Sequence, residues 1–400
     1  MDNKILFVAE AVTLAHVARP LALAAALDPA EFEVALACDP RARWAVSAFR
    51  GEVRSIRSIE PSAFLRALAV GRPVYDEQTL EEYVREDLAV LEAVRPDVVV
   101  GDFRLSLSVS ARRAGIPYWN LTNAYWSAYY ACPRYPIPSH PATRFLPIPL
   151  ADAAFQLVRP LAFKRHARPL ARVRRRHGLP PLGGDLRRAY TDGDRVLYAD
   201  VPELFPLRDA PPEHRFLGPI LWSPPVALPE WWSRLPRDRP LVYVTLGSSG
   251  HQAGLDATLE ALSQVDCTIA VATAGLEARG AAPRNAYVAR YLPGTEVAER
   301  SKLVICNGGS PTSQQALAAG VPVLGVASNL DQFLNMRAIA AAGAGRLVRA
   351  DRASAPRILA AVRDLLANPA YAESAAKVSA AFARYRAGER FRALARAATP

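Results

Sequence analysis

Residues 303–335 decide the fold, and they read LVICNGGSPTSQQALAAGVPVLGVASNLDQFLN. The apolar run Leu303–Cys306 predicts a strand, residues 314–319 predict a helix, and residues 321–326 predict a second strand. A glycine pair between a strand and a helix N-terminus lets backbone N–H groups approach an anion, and the helix dipole favours negative charge there. The stretch therefore predicts a parallel α/β unit in which the glycine pair either binds an anion or only turns the chain, and Ser310 would cap the helix ahead of Pro311.

The rest of the chain repeats this alternation of short β-branched runs and longer helical patterns. Strands are predicted at 5–9, 32–37, 97–102 and 116–119, with helices at 17–27, 81–94 and 106–114. A second series of strands is predicted at 241–247, 267–272, 303–306 and 321–326. Such alternation is typical of a parallel sheet with helices on both faces, so the fold class is α/β with two doubly wound Rossmann-like domains.

Composition shifts predict four segments of the chain. The first is an N-terminal domain at 1–217, and the second is a linker at 218–240 that is rich in proline and tryptophan. A second domain follows at 241–375, and helices at 376–400 are expected to reach back to the first domain. Two such sheets that face each other across a cleft would place ligands at the carboxyl ends of their strands.

Cysteine usage and hydropathy favour a cytoplasmic protein. The 400 residues include four cysteines that are far apart in sequence, so neither a disulfide framework nor a structural zinc is expected. The apolar run at the N-terminus is short and flanked by acidic residues, and it predicts a strand rather than a secretory signal. We find no apolar run of about 18 residues that would span a membrane.

The net charge of +11 comes mainly from arginine, and its spread along the chain favours a compositional bias over a nucleic-acid partner. The exception is a dense basic cluster at 164–168, 172 and 174–176. This cluster favours a solvated helix face, with peripheral contact to a membrane surface or an acidic ligand as the less favoured alternative.

The motif at 303–335 resembles the donor motif of family 1 glycosyltransferases of the GT-B fold, including the bacterial macrolide-type enzymes. That motif runs His-Gly-Gly-x-Gly-Thr-x-x-Glu-Ala-Leu, then Gly-Val-Pro, then Asp-Gln-x-x-Asn. In this chain NGGSPTSQQAL at 307–317, GVP at 320–322 and DQFLN at 331–335 match in register. The resemblance implies an inverting, metal-independent hexosyltransferase with no cofactor. It would move a sugar from a UDP- or TDP-linked donor to a small apolar or aromatic acceptor.

The resemblance also implies which residues bind the donor. The backbone N–H groups of the glycine pair and the Thr312 hydroxyl would meet the diphosphate, and Tyr291 would stack on the nucleobase. Two further residues, Asp331 and Gln332, would hold sugar hydroxyls. The full implied donor set is Gly247, Ser248, Ser249, Tyr291, Leu292, Asn307, Gly308, Gly309, Ser310, Thr312, Gln315, Asp331 and Gln332.

Four positions depart from the family's pattern. Asn307 replaces a histidine and cannot carry charge, while Pro311 replaces a glycine and removes one backbone N–H. Gln315 replaces a glutamate and gives weaker hydrogen bonds, and Gly294 replaces a glutamine. These departures motivate the alternative of a non-catalytic nucleotide-sugar-binding or activator protein. A nucleotide-sugar epimerase of the same fold is the other alternative, and it would need carboxylates deep in the cleft.

The acceptor side contains a histidine between the first strand and the first helix, within TLAHVARP at 13–20. By itself a histidine at such a junction is more often a cap or a packing residue. The resemblance implies instead that His16 is the general base. Histidine is suited to this role because its ordinary pKa lies near neutrality. Asp102, at the end of the strand 97–102, would orient His16, or it would simply cap the following helix.

An aromatic and amide cluster follows the strand at 116–119. Its candidate acceptor-binding members are Asn123, Tyr125, Trp126 and Tyr129. The cluster is consistent both with a pocket for an apolar or aromatic molecule and with an interior packed with tyrosines.

Overall fold

The computed structural model describes residues 3–132, 134–247, 252–275 and 282–398. The chain divides into two compact units. The first consists of Met1–Arg134, Pro149–Ile220 and Tyr385–Pro400, and the second consists of Tyr135–Ile148 and Leu221–Arg384.

The first unit contains a parallel sheet of seven strands in the order β3-β2-β1-β4-β5-β6-β7. The strands are β1 Asn3–Ala9, β2 Phe32–Cys38, β3 Glu52–Ser55, β4 Val98–Asp102, β5 Tyr118–Thr122, β6 Arg195–Tyr198 and β7 His214–Phe216. The central strand β4 is buried at every position, as its unbroken β-branched run predicts for a parallel strand covered on both faces. Its carboxyl end lies beside that of β1, because Ala9 pairs with Asp102.

The second unit contains a parallel sheet of six strands in the order β10-β9-β8-β11-β12-β13. The strands are β8 Leu241–Thr245, β9 Thr268–Ala272, β10 Ala286–Ala289, β11 Leu303–Cys306, β12 Val323–Ala327 and β13 Gly345–Arg349. Strand β8 lies next to β11, so the Gly247 turn and the turn after Cys306 leave the same edge of the sheet. Two doubly wound parallel sheets confirm the predicted fold class.

Helices cover both sheets. In the first unit they are α1 Ala15–Ala24, α2 Pro61–Ala69, α3 Glu77–Val94, α4 Leu107–Ala114, α5 Ile148–Arg176 and α6 Leu186–Tyr190. In the second unit they are α7 Gln252–Leu262, α8 Gly294–Arg300, α9 Ser310–Ala318, α10 Leu330–Ala341, α11 Ala355–Ala367 and α12 Ala370–Ala383. The last helix, α13 Ala387–Arg396, packs on the first sheet, where Phe391 lies 5.5 Å from Phe7 and 5.8 Å from Trp119 between ring centroids. In the described part of the chain no helix combines the length and the hydropathy needed to cross a bilayer.

The predicted domain boundaries differ from the observed units in three places. Residues 135–148 belong to the second unit although they lie within the predicted first domain. Hydrogen bonds to the backbone of this segment explain the difference. Ser139 N–H donates to the Ser328 carbonyl at 2.8 Å, and the Arg349 side chain donates from Nη1 to the Ile137 carbonyl at 2.7 Å. The predicted linker from residue 221 onward also packs on the second unit, with Trp231 5.5 Å from Tyr287 between ring centroids.

The third difference concerns the C-terminal helices. Helix α12 stays with the second unit, where Ser379 Oγ donates to the Ala318 carbonyl at 2.7 Å. Only the residues from Tyr385 onward belong to the first unit, rather than those from 376.

Candidate active site

The first unit places His16 and Asp102 in contact. His16 lies in the first turn of α1, and Asp102 is the last residue of β4. His16 Nδ1 lies 2.7 Å from Asp102 Oδ1, the Asp102 side chain is fully buried, and the His16 side chain is 19% exposed. Arg19 Nη2 also lies 3.1 Å from His16 Nδ1. In the tautomer with the proton on Nδ1, the carboxylate accepts a hydrogen bond from Nδ1 and Nε2 keeps its lone pair. The imidazole is thus oriented by a carboxylate and has one nitrogen available as a base.

A buried arginine that the sequence analysis missed completes this pair. Arg19 Nε donates to Asp102 Oδ2 at 2.8 Å, and Arg19 Nη2 donates to Asp102 Oδ1 at 2.6 Å. Burial disfavours the charged guanidinium, but the Asp102 carboxylate outweighs this effect and raises the pKa of Arg19. The available signal was the spacing, because residues three apart on a helix share a face and Arg19 follows His16 by three positions.

A second buried ion network stabilises the strand ends that present this site. Arg104 Nη1 donates to Glu10 Oε2 at 3.0 Å, and Arg104 Nε donates to Asp87 Oδ1 at 2.9 Å. Burial raises the pKa of both carboxyls, although Arg104 opposes the shift. Glu10 directly follows β1 and Arg104 lies two residues after β4, so the network ties the ends of the two strands together.

Phe103 connects the histidine to an aromatic surface. This residue has a φ of 58°, in the left-handed region that bulky residues rarely adopt. Its ring stacks on His16 with a centroid distance of 4.9 Å and contacts Tyr190 at 5.4 Å, and Tyr190 contacts Trp126 at 5.0 Å. A continuous run of aromatic side chains therefore extends from the imidazole within the first unit.

The four predicted acceptor residues have different environments. Tyr125 is fully buried and packs on Phe205 with a centroid distance of 5.2 Å, so its ring belongs to the core and the pocket prediction is wrong for it. Asn123 is buried too, and its Oδ1 accepts from Arg19 Nη1 at 2.7 Å, which makes it part of the ion-pair network. Trp126 and Tyr129 are half-buried and stay candidates for acceptor contact.

The donor turn of the second unit has a backbone that only glycine fits. Gly308 has a φ of 83°, and a Cβ at this position would lie 2.7 Å from Met336 Cγ. Asn335, the last residue of the DQFLN motif, fixes the turn because its Nδ2 donates to the Gly308 carbonyl at 2.8 Å and to Ser313 Oγ at 2.9 Å. These hydrogen bonds join the DQFLN motif to the glycine turn, which gives a structural reason for the fixed spacing between the two motifs.

The glycine N–H groups of this turn are already engaged, contrary to the expectation that they face a diphosphate. Gly309 N–H donates to Asn307 Oδ1 at 3.0 Å, and Gly308 N–H points to Cys306 Sγ at 3.3 Å. Helix α9 begins at Ser310 with Gly309 as its N-cap, so the predicted cap at Ser310 is wrong. Within the described residues, no hydrogen bond occupies the backbone N–H of Ser310 or Thr312, and these N–H groups form the helix N-terminus.

Two departures from the family's pattern are physically linked. Gln315 Nε2 donates to the Trp222 carbonyl at 2.7 Å, so the amide secures the segment before β8 instead of being reserved for ribose. A Cβ at Gly294 would lie 2.5 Å from Gln315 Oε1. Glycine at 294 therefore gives Gln315 the room for this conformation.

The two predicted sugar-binding residues begin helix α10. Gln332 is buried and forms a capping box with Asn329, since Gln332 N–H donates to Asn329 Oδ1 at 3.0 Å. Its Oε1 accepts from Ser328 N–H at 2.8 Å, and no hydrogen bond donated by Nε2 is found within the described chain. Asp331 is half-buried in the first turn of the same helix.

The other predicted donor residues surround the same strand ends. Gly247 follows β8, while Ser248 and Ser249 lie outside the described residues. Tyr291 is half-buried, and Leu292 is buried in the core, so only its backbone is suited to ligand contact.

Comparison with known proteins places the chain in a family. Residues 256–385 match the model of the erythromycin biosynthesis protein CIII-like C-terminal domain. The spinosyn rhamnosyltransferase SpnG superimposes with a TM-score of 0.71 at 21% identity, covering 98% of this chain and 99% of that one. This likeness, together with the two doubly wound sheets, defines the fold as that of GT-B glycosyltransferases.

Two mycobacterial relatives are similar over nearly the whole chain. A PGL/p-HBAD biosynthesis rhamnosyltransferase of Mycobacterium bovis (strain BCG / Pasteur 1173P2) is 51% identical, covering 96% of this chain and 86% of that protein. A PGL/p-HBAD biosynthesis glycosyltransferase of Mycobacterium tuberculosis (strain ATCC 25177 / H37Ra) is 50% identical, covering 95% of this chain and 89% of that protein. The chain therefore belongs to the family 1 glycosyltransferases of the GT-B fold, and it is a glycosyltransferase enzyme.

Proposed function

We propose that this enzyme moves a deoxyhexose from a UDP- or TDP-linked donor to an aromatic hydroxyl of a phenolic acceptor, with inversion and without a metal. The observation that carries the proposal is the 2.7 Å contact between His16 Nδ1 and the buried Asp102 carboxylate. The sugar and acceptor classes rest on the relatives, since one 51% identical over 96% of this chain is a PGL/p-HBAD biosynthesis rhamnosyltransferase.

In this mechanism His16 Nε2 takes the proton of the acceptor hydroxyl. The acceptor oxygen then bonds to the anomeric carbon as the bond from that carbon to the diphosphate breaks on the opposite face. Asp102 stabilises the imidazolium that forms, and Arg19 holds the buried carboxylate in place through hydrogen bonds from Nε and Nη2. A nucleoside diphosphate leaves, and His16 releases its proton to solvent.

The charge that develops on the leaving diphosphate is met at the N-terminus of α9. The N–H groups of Ser310 and Thr312, the Thr312 hydroxyl and the helix dipole supply positive potential there. Pro311 lies between these two residues and has no backbone N–H. The first turn of α9 therefore offers two separate N–H donors instead of three consecutive ones.

The aromatic run from His16 through Phe103 and Tyr190 to Trp126 supports a phenolic acceptor. Stacked and edge-to-face aromatic contacts favour a flat ring whose hydroxyl points to the imidazole.

The test measures transfer from TDP-rhamnose, UDP-rhamnose and UDP-glucose to a p-hydroxybenzoate ester, with NMR assignment of the anomeric configuration of donor and product. We expect His16→Ala to lower kcat by about 10²–10⁴-fold, the range of general-base catalysis. The matched control is His177→Gln, because His177 is half-buried like His16 and its Nε2 also lies near a carboxylate, 2.9 Å from Glu81 Oε2. Activity that EDTA abolishes and manganese restores would refute metal independence, and retained configuration would refute the direct displacement.

A further inference from the structure

Helix α5 presents an outward stripe that changes from apolar to basic along its length. Leu150, Leu157 and Leu161 are 63%, 84% and 70% exposed in its N-terminal half. They are followed on the same side of the helix by Lys164, Arg168 and Arg175, because spacings of three, four and seven residues return to one face. The residues from 150 to 175 extend over about 37 Å at the rise of an α-helix.

The opposite face of α5 anchors only its C-terminal half. Phe163, Ala167, Leu170 and Val173 are buried, and the last two pack in the cluster that contains Tyr83. In the N-terminal half only Ala151 is buried. Leu150, Leu157 and Leu161 therefore expose apolar surface to solvent and do not contribute to the core of the first unit.

The charges on this face are not neutralised by the residues that the structure describes. The only acidic residue of α5, Asp152, pairs with Arg134 at 3.1 Å. Lys164, Arg168 and Arg175 are exposed and make no ion pair with any described residue. An apolar segment that continues into uncompensated cations is complementary to a surface with an apolar interior and anionic headgroups.

We propose that this face of α5 docks the enzyme on an anionic phospholipid membrane, with the leucines inserted and the cations at the phosphates. This docking face consists of residues of α5 alone and is independent of the proposed acceptor. It also revises the interpretation of the basic cluster, since Arg174 is buried against Ser108, with Nη1 2.7 Å from its Oγ, and Arg176 pairs with Glu77 at 2.5 Å. These two arginines belong to the fold rather than to the docking face.

The experiment is flotation of the full chain with phosphatidylcholine vesicles that contain 0% or 30% phosphatidylglycerol. We expect binding only to the anionic vesicles. Lys164→Gln with Arg168→Gln should weaken it by about fivefold per charge removed, and added salt should weaken it as well. Leu157→Ser with Leu161→Ser should weaken it by at least about tenfold.

Matched controls lie on the same unit outside α5. Arg43→Gln with Arg50→Gln removes the same charge, and Val53→Ser with Val70→Ser removes exposed apolar surface; neither should change binding. The proposal is overturned if the protein does not bind anionic vesicles, or if Leu157→Ser with Leu161→Ser leaves vesicle binding unchanged. It is also overturned if light scattering shows a lipid-free dimer that the leucine variant dissociates while no vesicle binding is seen.

Discussion

Replacing Arg19 with methionine tests whether the buried ion pair stabilises the site. The substitution keeps an apolar chain of similar length but removes the guanidinium. It abolishes the contacts of 2.8 and 2.6 Å to Asp102 and the contact of 2.7 Å to Asn123. Among the described residues, Asp102 would keep only His16 as a side-chain partner.

The magnitude follows from the burial of both groups. The Arg19 side chain is 5% exposed and the Asp102 side chain is fully buried, so breaking the pair leaves an uncompensated charge out of water. We expect the free energy of unfolding to fall by about 3–5 kcal/mol for Arg19→Met, and by a similar amount for Asp102→Asn. The double variant leaves neither charge, so its loss should be smaller than the sum of the two by at least about 2 kcal/mol.

The assay is urea denaturation at pH 7, with hydrogen exchange of the β1 and β4 amides as a local measure of the first unit. The control is Arg112→Met, which breaks a more exposed pair in the same unit, with Arg112 Nη1 2.8 Å from Asp192 Oδ2. That change should cost about 1 kcal/mol or less. Additive losses in the double variant, or a loss for Arg19→Met no larger than the control, would refute the reasoning.

Three further predictions concern other parts of the molecule. Gly308→Ala should lower stability by about 2–4 kcal/mol and weaken donor binding by calorimetry, because it combines a left-handed φ with a clash against Met336; unchanged binding would mean that the turn tolerates a Cβ. Burial would raise the pKa of Asp39, but hydrogen bonds from Arg41 outweigh this effect and lower it to about 2. The ionised Asp39 therefore adds on the order of 2 kcal/mol to the free energy of unfolding above about pH 4, and this stabilisation is lost as the pH falls toward about 2. The stability gap between wild type and Asp39→Asn should therefore close over that window, and a pH-independent gap in urea midpoints would contradict this. Trp126→Ala should raise the KM for a phenolic acceptor more than that for the donor sugar, and equal changes would argue against acceptor contact.

Much of the architecture could be predicted because apolar periodicity is a local property. The predicted strand at Leu303–Cys306 is confirmed to the residue, and that at 32–37 is one residue shorter than β2. The strand at 116–119 was placed two residues early, because the apolar run precedes the paired segment Tyr118–Thr122. Helix α9 begins four residues before the predicted 314, since proline is well tolerated in a first helical turn.

The candidate site was predicted only in part. The sequence pattern located His16 and Asp102 at the ends of neighbouring elements, and the fold brings them into contact. Arg19 was missed, because its role depends on a carboxylate that lies 83 residues away in the chain. Tyr125 was assigned to a pocket, because an aromatic residue after a strand looks the same in sequence whether it is buried or exposed.

The sequence by itself determined the α/β class, eight of the thirteen described strands and the glycine turn, since these follow from hydropathy period and from the backbone freedom of glycine. The order of the strands within each sheet came from the structure. Only the tertiary structure decided which polar groups are already engaged. It showed that the glycine N–H groups are occupied, that Gln315 donates to the Trp222 carbonyl, and that Leu150, Leu157 and Leu161 of α5 are exposed. The physical reason is that hydrogen bonds and burial depend on neighbours distant in the chain, and local patterns do not specify those neighbours.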